Sequence, residues 1–190
     1  MRPAMEPKSL GAIEIAMRSL VFFLAAALWV APTGAAPPRW NPKAPENAQL
    51  LPSFSYATVE PVLRSIGARY QRSGGRDAPV LLVSFSSGSK ATLTMGACAS
   101  DGCRSLNIHA NWTRIGNASQ PRLSASVERF NRQYSFAKVY FTADGRPAMQ
   151  RYLTADYGFV RGNLAVNLLV FATQVDRFAK DALRPLGGQR

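Results

Sequence analysis

The chain has 190 residues, of which 47% are hydrophobic and 18% charged, and its 23 Lys and Arg outnumber its 11 Asp and Glu. This length and balance suit one globular domain with its own core and exclude a disordered chain. The formal charge of +12 favours an anionic partner such as nucleic acid, anionic lipid or an acidic protein.

The first 35 residues have the layout of a secretory signal peptide. A basic start precedes the apolar run at residues 19–31, and the small residues of Thr33-Gly34-Ala35 suit cleavage after Ala35. The run is shorter than the roughly 20 residues that span a bilayer; an uncleaved anchor is the alternative. The sequence therefore predicts a Sec-type signal peptide, with Met1 or Met17 as the start, and a periplasmic or secreted protein.

The charge of the mature chain stays strongly positive. Without residues 1–35, 20 Lys and Arg and 9 Asp and Glu remain, which gives a formal charge of +11. The basic residues are mostly Arg and are scattered without a run of three, a pattern typical of an incidental basic surface. Because export argues against nucleic acid, anionic lipid or an envelope polymer is the electrostatic alternative to a protein partner.

Composition divides the mature chain into three segments. Residues 36–53 are rich in proline and predict an extended linker, residues 54–185 predict a single domain, and residues 186–190 form a tail. At the start of the domain, Thr58 is expected to cap a short helix that Gly67 ends.

Strands are expected on both sides of a cysteine loop. Residues 69–72 are the first expected strand, and apolar patterns predict three more: a continuous run at residues 79–84 and alternating runs at 91–96 and 105–112. The last run alternates two sets of side chains: Leu106, Ile108, Ala110 and Trp112 on one face, and Asn107, His109 and Asn111 on the other.

The second half predicts a helix, a hairpin and a longer helix. The first of these helices starts near Ser124, and the hairpin at residues 136–153 turns at Asp144-Gly145. Its apolar positions are Val139, Phe141, Ala148 and Tyr152. The last helix, residues 163–183, is expected to be capped by Asn163 and carries an apolar stripe of Leu164, Leu168, Phe171, Val175, Phe178 and Ala182. The pattern predicts an α+β fold in the order α-β-β-β-β-α-β-β-α, with three helices flanking an antiparallel sheet of five or six strands.

Cys98 and Cys103 are the only cysteines, and four residues separate them. An exported chain meets oxidising conditions, so a local disulfide is expected. The alternatives are a redox pair or half a metal site, but the C-x-x-C spacing and further ligands are missing.

The sequence offers little for catalysis. His109 is the only histidine, and no G-x-S-x-G, phosphate-binding glycine motif or H-E-x-x-H accompanies it. We therefore predict no enzyme activity, catalytic residue, cofactor or metal site. Two binding alternatives stay open beside simple packing: a homodimer interface at Val166, Leu169 and Val170, and an aromatic and basic ligand face of Trp112, Tyr140, Arg114 and Lys138.

Residues 94–183 resemble the YbjN domain family of bacterial sensory transduction regulators, and the first helix extends the likeness over nearly the whole domain. The resemblance rests on packing and turn positions whose order and spacing match. These are Cys98–Cys103 with Arg104-Ser105-Leu106, Val127-Glu128-Arg129-Phe130-Asn131-Arg132 followed by Phe136-Ala137-Lys138-Val139-Tyr140, Asp144-Gly145-Arg146-Pro147, and Leu164, Leu168, Phe171 and Phe178.

The resemblance implies a fold similar to that of the type III secretion chaperones and a binding or regulatory role without a known active site. Two departures concern composition. Arg146, Gln150 and Arg151 stand where relatives tend to have an acidic strand, which implies a reversed charge on one sheet face, and Phe171 stands where Trp is usual. We therefore expect an exported, non-enzymatic domain that binds a protein partner in the bacterial cell envelope, as a chaperone or regulator.

Overall fold

A six-stranded antiparallel sheet is the centre of the fold in the computed structural model, which describes residues 40–75, 77–116 and 118–187. The signal peptide at residues 1–35 and the cleavage site after Ala35 lie outside these residues. The elements follow in chain order: β1 Leu50–Leu51, α1 Tyr56–Ser65, β2 Arg69–Ser73, β3 Val80–Ser84, β4 Lys90–Ala99, β5 Gly102–Asn111, α2 Gln120–Gln133, β6 Lys138–Phe141, β7 Pro147–Thr154, β8 Phe159–Val160 and α3 Arg161–Phe178.

The sheet has the strand order β2-β3-β4-β5-β7-β6, and a separate two-stranded sheet joins β1 to β8. This confirms the predicted α+β class and an antiparallel sheet of five or six strands. The predicted order of elements also holds for the three helices and the six strands of this sheet, and lacks only β1 and β8. Apolar side chains of α1, α2 and α3 form one buried cluster with those of the strands, including Leu93, Ile108 and Met149. All three helices therefore pack on the same face of the sheet.

The helices begin earlier than the sequence predicts. Ser55, not Thr58, is the N-cap of α1, because the two side chains form a capping box in which Thr58 is the third helical residue. Helix α2 begins at Gln120, four residues before the predicted start at Ser124. Ser119 is its N-cap, and its first turn contains Pro121. Gly67 ends α1 as predicted, with a φ of 72° that suits glycine.

The long helix α3 follows directly from β8. Its N-cap is Val160 rather than the predicted Asn163, since the chain enters the helix from a paired strand and no side-chain cap forms. The helix ends at Phe178 and continues as one π-helical turn, Ala179–Leu183. The predicted apolar stripe is buried along its whole length: Leu164, Leu168, Phe171, Val175, Phe178 and Ala182.

The hairpin of β6 and β7 turns where predicted, with Gly145 at a φ of 77°. The apolar face of β7 was predicted wrongly. Met149 pairs with Val139 and Ala110 and lies in the core, whereas Tyr152 is 57% exposed on the opposite face. A one-residue shift in the pattern of β7 reverses the face of every side chain, because side chains alternate along a strand.

Part of the proline-rich segment belongs to the folded domain. Residues Pro45–Ala48 form a 3-10 helix, β1 pairs with β8, and Leu51 is buried. Gly162 of α3 leaves room for this segment, since a Cβ there would lie 3.0 Å from the Asn47 side chain and carbonyl. The chain from Pro45 onwards, which was predicted as a linker up to residue 53, therefore contacts the helical layer.

The outer edge of β6 is closed by one side chain. Asn131 of α2 donates to the Val139 carbonyl at 2.8 Å and accepts from the Val139 N–H at 2.9 Å. These are the two bonds that a neighbouring strand would otherwise make, and an unpaired edge invites association with another chain. Asn131 therefore anchors α2 and blocks this edge of the sheet.

The opposite edge strand, β2, is held by a buried carboxylate. Glu60 of α1 is only 8% exposed. It accepts bonds from Arg72 at 2.5 and 3.1 Å and from the Tyr70 hydroxyl at 3.3 Å. The hydrogen bond from Arg72 is the main reason that the pKa of Glu60 lies below its usual value, and it outweighs the opposing effect of burial.

Replacing Asn131 by Ala should lower the free energy of unfolding by about 1–2 kcal/mol, because two partly buried hydrogen bonds to Val139 are lost. Urea denaturation measures the change, and light scattering should detect self-association through the exposed edge of β6. Gln133→Ala, at an exposed site of the same helix, is the matched control. An N131A protein as stable and as monomeric as the control would contradict this role.

Replacing Arg72 by Gln should cost about 1 kcal/mol near neutral pH, since Glu60 stays ionised and loses its main partner while Arg72 itself is largely exposed. Glu60 has a lowered pKa in the folded state, so its contribution is present above its unfolded pKa and disappears as pH falls through the folded value. The deficit of R72Q relative to the unmodified protein should therefore shrink in acid.

Urea midpoints across an acid-to-neutral pH series measure this effect. Arg69→Gln removes the same charge from the same strand without breaking an ion pair with Glu60, and should leave the pH profile unchanged. A deficit of R72Q that is constant with pH would contradict the role of Glu60.

Candidate functional site

The second face of the sheet, which we call the open face, is not covered by any helix of the described chain. Strand register places six of its residues in one row that crosses all six strands: Gln71, Leu82, Thr92, His109, Gln150 and Lys138. A second row consists of Ser73, Val80, Thr94, Asn107 and Tyr152. Polar side chains dominate both rows, as expected for a sheet face in contact with solvent.

A third row carries most of the charge. Arg69, Ser84 and Lys90 follow one another across β2, β3 and β4, and on the far side Ala148 lies between Asn111 and Tyr140. With Lys138 of the first row, the open face thus has three basic side chains. None of the strand residues that register places on this face is acidic. The face therefore presents positive charge without internal neutralisation.

A cavity of about 490 Å³ opens on this face between the first and third rows. Each of the strands β2 to β5 contributes three consecutive residues to its lining. In each group of three, the first and last residues belong to the first and third rows and flank the cavity. The side chain of the middle residue faces the core, so the strand backbones form the floor of the cavity. Arg69, Lys90 and His109 are the basic or titratable side chains that belong to the rows beside this cavity.

Two polar atoms of the open face are buried and lack a hydrogen-bond partner among the described residues. They are Nε2 of His109 and Oδ1 of Asn107. Burial lowers the pKa of His109, because the charged imidazolium loses hydration there. His109 is therefore neutral near pH 7, and because Nε2 is shielded from solvent, a ligand can bond this atom only after the ring turns toward the cavity.

The predicted aromatic and basic face is not assembled. Trp112 packs edge-on against Phe178 on the helical side, with ring centroids 5.0 Å apart. Arg114 donates to the Asp144 carbonyl beside the hairpin turn. Only Tyr140 and Lys138 lie on the open face, because Trp112 continues the core-facing alternation of Ile108 and Ala110.

The three residues that were predicted to reverse the charge of one sheet face lie in three different places. Gln150 lies in the first row of the open face, whereas Arg151 points to the helical side and donates to the Phe136 carbonyl at 2.5 Å. Arg146 belongs to the turn, where it pairs with Asp144 at 2.6 Å. The basic character of the open face comes instead from Arg69, Lys90 and Lys138, which sequence reasoning did not group.

Cys98 and Cys103 are joined by a disulfide bond, as the sequence predicts. They are direct partners across β4 and β5 rather than parts of an irregular loop, because the two strands continue to a tight turn at Ser100-Asp101. Ala97 has a φ of 51°, a left-handed conformation uncommon for a residue other than glycine. The bond fixes this end of the hairpin.

The apolar residues of α3 that were predicted as a homodimer interface differ in exposure. Val166 is 43% exposed, whereas Leu169 and Val170 are partly buried. A homodimer through this helix stays a prediction. Within the described ranges, no helix is long and apolar enough to cross a membrane, and no three His, Cys, Asp or Glu side chains are grouped to hold a metal ion.

Comparison with known families gives one result for the folded domain. The family model YbjN, described as "Putative bacterial sensory transduction regulator", matches residues 55–184. This range begins at the N-cap of α1 and extends beyond the π-helical turn that follows α3. A comparison with curated proteins finds no match.

Proposed function

Since the chain belongs to the YbjN family, whose description is that of a sensory transduction regulator, we propose that it acts by binding rather than by catalysis. In this proposal it is exported to the bacterial cell envelope and there binds a protein partner. The open face of the sheet is the binding surface. The bound partner is either held as by a chaperone or regulated through the contact.

The observation that carries this proposal is the uneven covering of the sheet. Three helices bury one face, while the other exposes Leu82 and Tyr152 among polar side chains and contains two unpartnered buried atoms. A buried polar atom without a hydrogen bond costs about 1–3 kcal/mol. A partner that covers the exposed apolar groups, and that bonds these two side chains once they turn outward, would recover that cost.

Export is supported by the sequence and by the cysteine pair. The basic, apolar and small-residue order of residues 1–35 is that of a cleaved Sec signal. A disulfide persists in the oxidising periplasm or outside the cell and is rare in the cytosol.

The alternative is an electrostatic binder of anionic lipid or an envelope polymer. It is favoured by the +11 charge that remains without residues 1–35, and by an open face without acidic side chains. Such binding weakens as salt screens the charges, and it requires little of the shape of the surface.

In-cell photocrosslinking should separate these two functions. A photoreactive amino acid in place of Thr94, on the open face, should capture one dominant protein, and this product should persist at raised salt. The same replacement of Arg129, on the exposed side of α2, should capture that protein much less, because it lies on the helical side. Mass spectrometry identifies the captured species.

Equal capture from Thr94 and Arg129 would contradict binding on the open face. Capture of lipid or polymer alone, lost as salt rises, would support the electrostatic alternative and overturn the protein partner.

Processing of the N-terminus provides a separate test of export. The protein recovered from the envelope fraction should begin at Ala36, and its two cysteines should react with an alkylating reagent only after reduction. Ala35→Tyr should slow cleavage, since the enzyme needs a small residue there. An intact N-terminus together with freely alkylated thiols in the cytosolic fraction would contradict export.

A further inference from the structure

We infer that the cavity between Arg69, Lys90 and His109 is a recognition site for a carboxylate, and that the partner presents it on an acidic segment of its chain. This inference rests on the proposed function and specifies the chemistry of the partner at the open face.

The positions of the two cations are the first support. Arg69 and Lys90 both line the cavity and stand in one row, separated by Ser84 of the intervening strand. Both side chains are exposed, and neither forms a salt bridge with the described acidic residues. Arg72, on the same edge strand as Arg69, is different because Glu60 already neutralises its charge.

The neighbouring polar groups are the second support. His109 and Thr92 form the opposite wall of the cavity and are direct cross-strand partners. Nε2 of His109 has no hydrogen-bond partner among the described residues and is shielded from solvent, so a ligand reaches it when the ring turns toward the cavity. A carboxylate has two oxygens that accept several hydrogen bonds, so it can satisfy the imidazole and one of the cations together.

The absence of competing acids is the third support. The charged or titratable side chains that share the open face with His109 are basic or phenolic. Lys90 and Tyr152 lie on the two neighbouring strands, and Arg69, Lys138 and Tyr140 lie on strands farther away. A carboxylate entering the site would meet no like charge from the strands of this face. An acidic protein segment is favoured over a lipid headgroup, because the row beside the cavity adds the amide and hydroxyl groups of Gln71, Thr92 and Gln150, which can bond the backbone of an extended chain.

Binding of the carboxylate should be linked to protonation of His109. In the free protein burial favours the neutral ring, whereas an adjacent carboxylate favours the imidazolium. The complex therefore takes up a proton, and its affinity should rise as pH falls from neutral toward the pKa of the free histidine. The carboxylates of a glutamate peptide stay ionised over most of this range.

A hexaglutamate peptide is the probe, and hexaglutamine is its neutral control. As the only histidine of the chain, His109 gives a single set of imidazole NMR signals that reports on the site directly. Hexaglutamate should shift these signals and raise the pKa of His109, and hexaglutamine should do neither. His109→Gln should abolish the increase of affinity in acid while retaining binding through the cations.

A charge-matched pair of variants separates the site from the overall charge. Arg69→Gln with Lys90→Gln should weaken hexaglutamate binding about fivefold or more, as expected for two partly screened ion pairs. Arg129→Gln with Lys180→Gln removes the same charge from exposed positions outside the sheet, and should weaken binding less than twofold. Circular dichroism verifies that both variants are folded.

Equal weakening in both double variants, or binding without a change in the His109 signals, would overturn the carboxylate site. Phosphatidylglycerol vesicles that shift the histidine signals when hexaglutamate does not would replace the acidic segment by a lipid. If crosslinking from Thr94 captures a protein but hexaglutamate does not bind, only this inference fails. If hexaglutamate binds at the site but crosslinking captures no protein, the carboxylate site is supported and the proposed protein partner is overturned.

Discussion

The alternation of side chains along six antiparallel strands is the constraint on which the rest of the structure depends. It places Leu93, Ile108 and Met149 on one side of the sheet and, at the adjacent positions, Thr92, His109 and Gln150 on the other. Because the apolar set lies entirely on one side, all three helices must pack there to bury it. The polar side is then left as the one broad sheet surface available for a partner.

The two edges of the sheet show how the helical layer keeps this arrangement fixed. At β6, Asn131 replaces a neighbouring strand through two hydrogen bonds to Val139. At β2, Glu60 binds Arg72 and holds the strand against α1. Both devices use a helix residue to satisfy an edge strand from the core side. The edges are therefore secured without covering the open face, and Arg69 remains available beside the cavity.

Much of the fold could be predicted from local patterns in the sequence. The Asp-Gly turn, the stripe of α3 and the alternation around His109 each depend on neighbours in the chain, and the structure confirms them. The errors had two origins. The cap of α1 was a local pattern read wrongly, since Ser55 and Thr58 form the capping box only three residues apart, whereas Met149 faces the core because the distant residues Val139 and Ala110 lie beside it. The grouping of Arg69 with Lys90 and His109 depends on the register of four strands, which the sequence alone does not specify.

The distribution of charge explains how a scattered basic composition can give a directed surface. Arg72, Arg104 and Arg146 each have an acidic partner close by, so their charges are locally balanced. Arg69, Lys90 and Lys138 occupy a face whose other strand positions are neutral. Folding thus places three basic side chains without acidic neighbours on the open face, although no cluster exists along the chain. Net charge alone would attract any anion, whereas the cavity adds an imidazole at a fixed position, and it is this combination of charge and geometry that can discriminate a carboxylate.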